Sequence, residues 1–355
     1  MGKYSSAIVV CKLEDESFTV LDQLPAGWCP GQVRFTPNGK SVVGTAWETE
    51  PRRLGLIFCT NRPSYIFSLT LEGVKTELSK KGHAVRSPRF SPCGDLVWLQ
   101  RAADGPHHAC HQLVLKKKNS DEVFPIIDIV DTEIKTDNGK PFYGVYSQAL
   151  PTYCFSKDGN RIIFSTPQQN EIRSYVKCLD SGRIIDISLR NVAGSTTILD
   201  VKSDIILASF SNFTTPGQLY VARLPEKDNE SNINWVRVGQ VVEPSPLEPS
   251  QVEYLPMTHE GSTDDVKSFS AIYFAPKVEA GKKLPLIVWP HGGPHSNFVN
   301  AFSLETALFN KLGSYGGLVV GHLAARYPDA FKAMVMKNPL IDLATKGHYA
   351  DNADG

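Results

Sequence analysis

Three short stretches of this chain repeat one pattern: Phe35-Thr-Pro-Asn-Gly39, Phe90-Ser-Pro-Cys-Gly94 and Phe155-Ser-Lys-Asp-Gly159. Each lies between segments in which apolar residues alternate with polar ones, and the segments that follow are Ser41–Ala46, Leu96–Gln100 and Arg161–Ser165. Pro or Lys followed by Asn or Asp and then Gly makes a tight turn in which glycine takes positive φ, so each stretch reads as a β-hairpin. The middle copy carries Cys93 in place of Asn or Asp and gives the weaker turn signal. The copies start 55 (90 − 35) and 65 (155 − 90) residues apart, about one four-stranded propeller blade with loop excursions. Strand-like runs at Thr197–Val201, Ile205–Ser209 and Gln218–Leu224 extend the series. The expectation is a partial β-propeller of about four blades over residues 1–250, with a generic antiparallel β-sandwich as the open alternative.

Composition shifts near Val241–Pro256, where Pro244, Pro246, Pro249 and Pro256 crowd a polar stretch that reads as an interdomain linker. Beyond it come a strand at Ser270–Phe274 and a continuous apolar strand at Leu284–Trp289, fit for burial on both sheet faces. A glycine-rich loop, a helix over Ser303–Lys311, a second helical stretch ending at Tyr327 and a buried strand at Ala333–Met336 follow. Strands alternating with helices indicate an α/β domain with a parallel sheet over residues 251–355.

Two elements of this second region carry chemistry. A buried strand running into His291-Gly-Gly-Pro-His295 leaves bare backbone amides at its end, where glycine lets a substrate carbonyl approach as in an oxyanion hole. Gly313-Ser-Tyr-Gly-Gly317 then matches the back half of the nucleophile elbow G-x-S-x-G, with Leu312 in place of the first glycine.

With these residues the chain resembles the acylaminoacyl-peptidase (acyl-peptide hydrolase) family of the prolyl oligopeptidase group of serine hydrolases, from about Gly27 to about Leu343. The resemblance is carried by Arg53-Leu-Gly-Leu-Ile-Phe-Cys-Thr-Asn61, by Pro290-His-Gly-Gly-Pro-His-Ser-Asn-Phe298, and by Gly313–Gly317 with Tyr327-Pro328 and Asn338-Pro339. It implies a β-propeller joined to an α/β-hydrolase domain, and release of an N-acyl amino acid from N-acylated short peptides. Ser314 then matches the nucleophile, and the amides of Gly293 and Tyr315 match the oxyanion donors. The reaction implied is acyl transfer through an acyl-enzyme. A homo-oligomer is also compatible with the resemblance. A blocked amine needs no acidic anchor, and the sequence contains no Glu-Glu pair.

The resemblance breaks at the triad. In this fold the chain order is Ser, then Asp or Glu, then His. The groups after Ser314 are Asp329, Asp342, Asp351, Asp354, His322 and His348. Asp329 reads as a turn residue, His322 lies about two helical turns past the serine, and His348 and Asp351 fall in a polar tail. No acid or base is assigned. An elbow also needs a strand entering it, yet Leu304–Leu312 reads as a helix with Leu304, Leu308 and Leu312 on one face. The resemblance implies a strand, a crossover and a further strand between this helix and the serine, so the expectation is a truncated serine exopeptidase that omits them, weakly active or inactive. The alternative is a non-catalytic propeller module that binds a partner protein through exposed sheet edges.

Composition narrows the partners. Lys and Arg number 37, as do Asp and Glu, so the net charge is zero, which argues against a nucleic-acid or anionic-membrane surface. No apolar run approaches the ~20 residues a membrane span needs, and Lys12, Glu14, Asp15 and Glu16 interrupt the apolar start that a secretory signal would require. Seven cysteines without a C-x-x-C pair suggest reduced thiols and a cytoplasmic protein. His107-His-Ala-Cys-His111 reads as a polar inter-strand loop rather than a metal site, since zinc ligands come from two separated loops. No metal and no cofactor is expected. Lys116-Lys-Lys118 reads as a solvated loop, and the myristoylation-like start at Gly2 and the sequons at Asn212 and Asn229 read as chance matches.

Overall fold

The Phe-x-x-x-Gly stretches turn the chain as their chemistry requires. In the computed structural model, which describes residues 6–51, 60–190, 192–240, 250–258, 268–277, 288 and 297–307, Thr36, Ser91 and Ser156 each open such a turn. Their amides donate to the carbonyls of Ser41 (2.9 Å), Asp95 (2.8 Å) and Arg161 (3.0 Å). Their hydroxyls accept the amides of the same three residues at 3.2, 3.0 and 3.0 Å. Gly39, Gly94 and Gly159 take φ of 69°, 94° and 75°, conformations open to glycine at little cost. The middle turn, which carries Cys93, closes one residue earlier than the other two, at Asp95, and is held by the same Ser91 amide and hydroxyl. The same device recurs at Thr136-Asp-Asn-Gly139, which the repeat search did not pick out: Thr136 N–H meets the Lys140 carbonyl at 2.8 Å.

The strands between these turns form consecutive antiparallel meanders. Strands β1 (Ile8–Lys12) and β2 (Ser17–Leu21) pair first. A four-stranded sheet follows with β3 (Trp28–Phe35), β4 (Ser41–Glu48), β5 (Ser64–Thr70) and β6 (Lys75–Glu77). The next has β7 (His83–Phe90), β8 (Leu96–Ala102), β9 (Gln112–Lys116) and β10 (Val123–Ile127). After the small pair β11 (Ile134–Lys135) and β12 (Pro141–Phe142) comes a three-stranded sheet, β13 (Arg161–Gln168), β14 (Glu171–Cys178) and β15 (Ile184–Asp186). Phe155 adds a single bridge to Ile162 at the edge of this sheet. The last four-stranded sheet is β16 (Ser195–Lys202), β17 (Ile205–Asn212), β18 (Thr215–Arg223) and β19 (Val236–Val238), and the pair β20 (Ser250–Thr258) and β21 (Ser268–Pro276) follows. Among the described residues the remaining regular structure is a 3-10 turn at Glu230–Asn232 and a helical turn at 304–307.

Side-chain alternation glues each sheet to the next, because successive residues of a strand point to opposite faces. In β8, Leu96 and Trp98 face the previous sheet with Val43 and Ile66, while Val97 and Leu99 face the next with Ile162, Phe164 and Tyr175. In β13 and β14 the phase flips in the same way: Ile163 and Val176 pack on Ile198, Ile206 and Ala208 of the following sheet. Ile8 and Leu21 cover Val42, Phe67 and Leu69 at the start of the stack. Such strands read as continuous apolar runs because both faces are buried. Bulges in the first strands of adjacent sheets lock the stack further. Ser87, at φ 60°, donates its amide to Gln32 Oε1 at 2.7 Å and its hydroxyl accepts the Leu150 amide at 2.8 Å.

Several expectations need correction. Residues 250–256 are strand, not linker: Pro256 sits opposite Ser270 in a two-stranded pair, a position where its missing N–H does no harm. Ser270–Phe274 is a strand as expected, but it pairs antiparallel with β20, not within a parallel sheet. The remaining strands expected in the α/β domain lie outside the described residues, apart from Val288. The helix expected over Ser303–Lys311 is described at 304–307. Lys116 lies in β9 and Lys117 just after it. Lys116 pairs with Asp121 at 3.2 Å and Lys117 with Asp95 at 2.8 Å, so these two are not free solvated charges. The His107–His111 segment does join β8 to β9, but His107 and His111 are buried because the neighbouring sheet covers them.

Candidate functional site

The β13–β14 hairpin turns through Gln169 and Asn170, since Gln168 and Glu171 are the last paired residues. Gln169 has φ of 51°, which presents the backbone carbonyls of the turn outward. The chain that follows the glycine-rich stretch lies on this tip. Asn297 Nδ2 donates to the Gln169 carbonyl at 2.8 Å, and the Asn300 amide donates to the Asn170 carbonyl at 2.6 Å. From β21, Ser270 Oγ donates to Asn170 Oδ1 at 3.0 Å.

Asn300 is the keystone of this junction. Its side chain is buried, with 1% of the residue exposed. Its Oδ1 accepts the Phe213 amide from the β17–β18 turn at 2.9 Å, and its Nδ2 donates to the Tyr254 hydroxyl of β20 at 2.9 Å. A buried amide of this kind is tolerated because its polar atoms are paired. The Tyr254 hydroxyl passes the chain on to Glu171 Oε1 at 2.8 Å. Burial first, and the neighbouring Glu171, hold that phenol well above its ordinary pKa, so it stays a donor. Glu171 also accepts the Gly194 amide at 3.0 Å and Arg173 Nη1 at 2.9 Å, and Arg173 continues to Asp186 through Nε at 2.9 Å. The Phe213 and Phe274 rings, 5.2 Å apart, add an apolar contact beneath it.

Beside the network lies a cleft of about 160 Å³ lined by Lys140, Tyr143, Gln168, Glu171, Arg173 and Tyr254. Among the described residues no three His, Cys, Asp or Glu side chains converge to hold a metal ion, and no helix is long and apolar enough to cross a membrane.

Ser314, Gly293 and Tyr315 lie outside the described residues, as do Asp329, Asp342, Asp351, Asp354, His322 and His348. What the structure does place is the chain four and seven residues after Gly293, at Asn297 and Asn300. Sequence reading passed over both asparagines. The available signal was the Ser-Asn-Phe-Val-Asn run, whose short polar side chains readily bond to backbone groups outside a helix interior.

The family model described as the N-terminal domain of acylamino-acid-releasing enzyme matches residues 1–248. The acylamino-acid-releasing enzyme of Rattus norvegicus is 30% identical over 411 residues, covering 98% of this chain and 55% of the rat protein. That of Homo sapiens is 29% identical over 412 residues, covering 95% of this chain and 54% of the human protein, and that of Arabidopsis thaliana is 25% identical, covering 90% and 46%. The chain thus spans about half the length of the curated relatives it matches. The rat match runs over 411 positions against 355 residues here, so at least 56 (411 − 355) of them fall opposite gaps in this chain. Among solved structures, oligopeptidase B from Trypanosoma brucei superposes with a TM-score of 0.55 at 13% identity, covering 86% of this chain and 40% of that one. A puromycin-hydrolyzing peptidase from Mycobacterium tuberculosis gives 0.54 at 13% identity, covering 83% and 42%. These two likenesses are of fold. The match over residues 1–248, on a chain built of stacked antiparallel sheets, means that this protein belongs to the acylamino-acid-releasing enzyme family.

Proposed function

We propose that this chain carries part of a serine exopeptidase of the acylaminoacyl-peptidase type, which releases an N-acyl amino acid from N-acylated short peptides. In this reading residues 1–250 are propeller blades and residues 251–355 belong to an incomplete α/β-hydrolase domain. Ser314 is the nucleophile, and the amides of Gly293 and Tyr315 receive the oxyanion. The observation that carries the reading is the Asn300 junction. It fixes the chain at Asn300, seven residues after Gly293, onto the hairpin tips of the β-stack. A propeller that holds the oxyanion loop in place also limits access to short peptides by size.

No residue of this sequence is assigned as triad acid or base, and a serine without a base is a poor nucleophile. The 355-residue polypeptide therefore turns over substrate weakly or not at all. The six described cysteines are all free thiols, which suits a reducing, cytoplasmic setting. Incubation with a fluorophosphonate probe and an acetyl-alanyl chromogenic substrate tests both parts. Strong Ser314 labelling with turnover overturns the inactivity, and labelling at another serine overturns the site.

A second reading is favoured by the two ends of the stack. Val9, Phe18 and Val20 share the outer face of β1–β2, with Phe18 70% exposed, and Leu219, Val236 and Val238 share the outer face of the last four-stranded sheet. Exposed apolar rows of this kind mark interaction surfaces, so the module binds a partner protein without catalysis. Retention of a partner on size-exclusion chromatography by a polypeptide in which Ser314→Ala has been made separates this reading from the first.

A further inference from the structure

Three cationic or imidazole side chains lie in two adjacent cross-strand rows on the face of the second blade-like sheet that looks at the third. Register places them. Arg86 of β7 stands opposite Leu99 of β8, and Ala84 opposite Arg101. Leu99 pairs with Leu113 and Gln100 with Gln112, so the next position sets Arg101 across from His111. Leu99 and Leu113 face the third sheet, and period-two alternation puts Arg86, Arg101 and His111 on that same face. All three are buried, with 8%, 4% and 0% of their surface exposed.

Their hydrogen bonds do not neutralise them. Arg86 donates to Gln148 Oε1, and Arg101 donates to the Pro106 carbonyl and to Thr60 Oγ1 (3.2 Å). Among the described residues neither guanidinium meets a carboxylate, and the undescribed stretch beside Thr60, Arg52–Cys59, contains two arginines and no Asp or Glu. Arg101 Nε and both ring nitrogens of His111 lack a partner, as does Asn61 Oδ1 nearby, whose Nδ2 is tied to the Gly105 carbonyl. Buried orphan donors clustered beside uncompensated charge call for an occupant. Burial chiefly, with Arg86 adjacent, lowers the Arg101 pKa to about 10, so it stays charged at neutral pH. Burial, then Arg101 and Arg86, depress His111 to about 3, which leaves a neutral ring with one N–H to give.

We propose that this cluster binds a small inorganic anion of chloride size, held by Arg86, Arg101 and the His111 N–H between the second and third blade-like sheets. Water alone fills the empty hydrogen-bonding positions but leaves two buried positive charges uncompensated. A peptide carboxylate is excluded by the burial of all three side chains, which leaves no opening for a chain. The Asn61 carbonyl oxygen takes a water that accompanies the ion. The His111 amide already meets the Val145 carbonyl at 2.7 Å and Arg86 meets Gln148 across this junction; the anion adds a charged tie to them, so its role is to hold the blades together.

The test uses the full chain at constant ionic strength, with chloride replacing gluconate. The melting temperature rises saturably with chloride, and the excess ³⁵Cl line width of the solution falls when bromide competes. Arg101→Gln weakens the apparent chloride affinity at least tenfold, whereas Arg223→Gln, an exposed control, leaves it unchanged. Where Arg101→Gln does not fold, anomalous scattering from bromide-soaked crystals of the unaltered chain decides: a peak within contact of Arg101 Nε and His111 supports the site. Equal chloride response in Arg101→Gln, or no bromide at that position, overturns it.

Discussion

The Asn300 side-chain amide donates to the Tyr254 hydroxyl at 2.9 Å and accepts the Phe213 amide at 2.9 Å, so one buried residue ties three separate elements together. Asn300→Ala leaves the Phe213 N–H without its partner in a buried setting, a loss of about 1–3 kcal/mol. The effect is local. Hydrogen exchange at Phe213 accelerates and protease cutting appears within residues 297–307, while exchange in β8 and β9 is unchanged.

A second prediction concerns charge in the core. Glu230 is buried and meets Arg161 Nη1 and Arg183 Nη2, each at 3.3 Å. Glu230→Ala leaves the buried Arg161 guanidinium with the Pro225 carbonyl at 2.6 Å but without its carboxylate, and breaking a buried pair costs about 3–5 kcal/mol. Urea unfolding followed by tryptophan fluorescence reads the shift, and a change below 1 kcal/mol contradicts the buried pair.

His111 gives a pH dependence whose sign is fixed. Its folded pKa is depressed to about 3, below the ordinary value of 6.5, by burial and then by Arg101 and Arg86. Between those values the unfolded chain binds a proton that the folded chain refuses, so stability rises with pH across this window. The contribution is complete above pH 6.5 and is lost as pH falls, at up to about 1.4 kcal/mol per pH unit. In gluconate buffer, urea midpoints measured from pH 6.5 to 4.5 fall less steeply for His111→Gln than for the unaltered chain.

Glycines separate strain from crowding. A Cβ at Gly39 meets nothing within 4 Å, but the residue sits at φ 69°, so Gly39→Ala costs about 1 kcal/mol from the backbone alone. A Cβ at Gly44 approaches the Gly31 carbonyl and the Phe67 ring, both at 3.0 Å, in the middle of β4. Gly44→Ala forces β3 and β4 apart and costs more than Gly39→Ala, a ranking that thermal melts of the two variants check.

The hairpins were legible because a turn is a local object. Thr36, Ser91 and Ser156 cap their own turns, and the strands after Gly39, Gly94 and Gly159 start at the expected residues. The strand ends ran longer than the alternation suggested, as at β13, which continues to Gln168 because pairing with β14 carries it on. Pro256 misled the linker reading, since a proline's effect depends on whether its N–H faces a partner strand, which only the pairing with β21 reveals. His107 and His111 looked solvent-bound for the same reason: nothing in their own five residues records the sheet that covers them.

What the chain determined by itself was the order of turns, the alternation that gives each strand two apolar faces, and the residues whose pattern names the family. These depend on interactions within a few residues, where backbone torsion and side-chain hydrogen bonds act alone. Tertiary structure decided which faces meet, that Asn300 reaches Tyr254 and Phe213 from 46 and 87 residues away, and that Arg86, Arg101 and His111 share one buried face. Those outcomes come from burial and from pairing between distant strands, which set the local dielectric and the available partners and leave no mark on neighbouring letters.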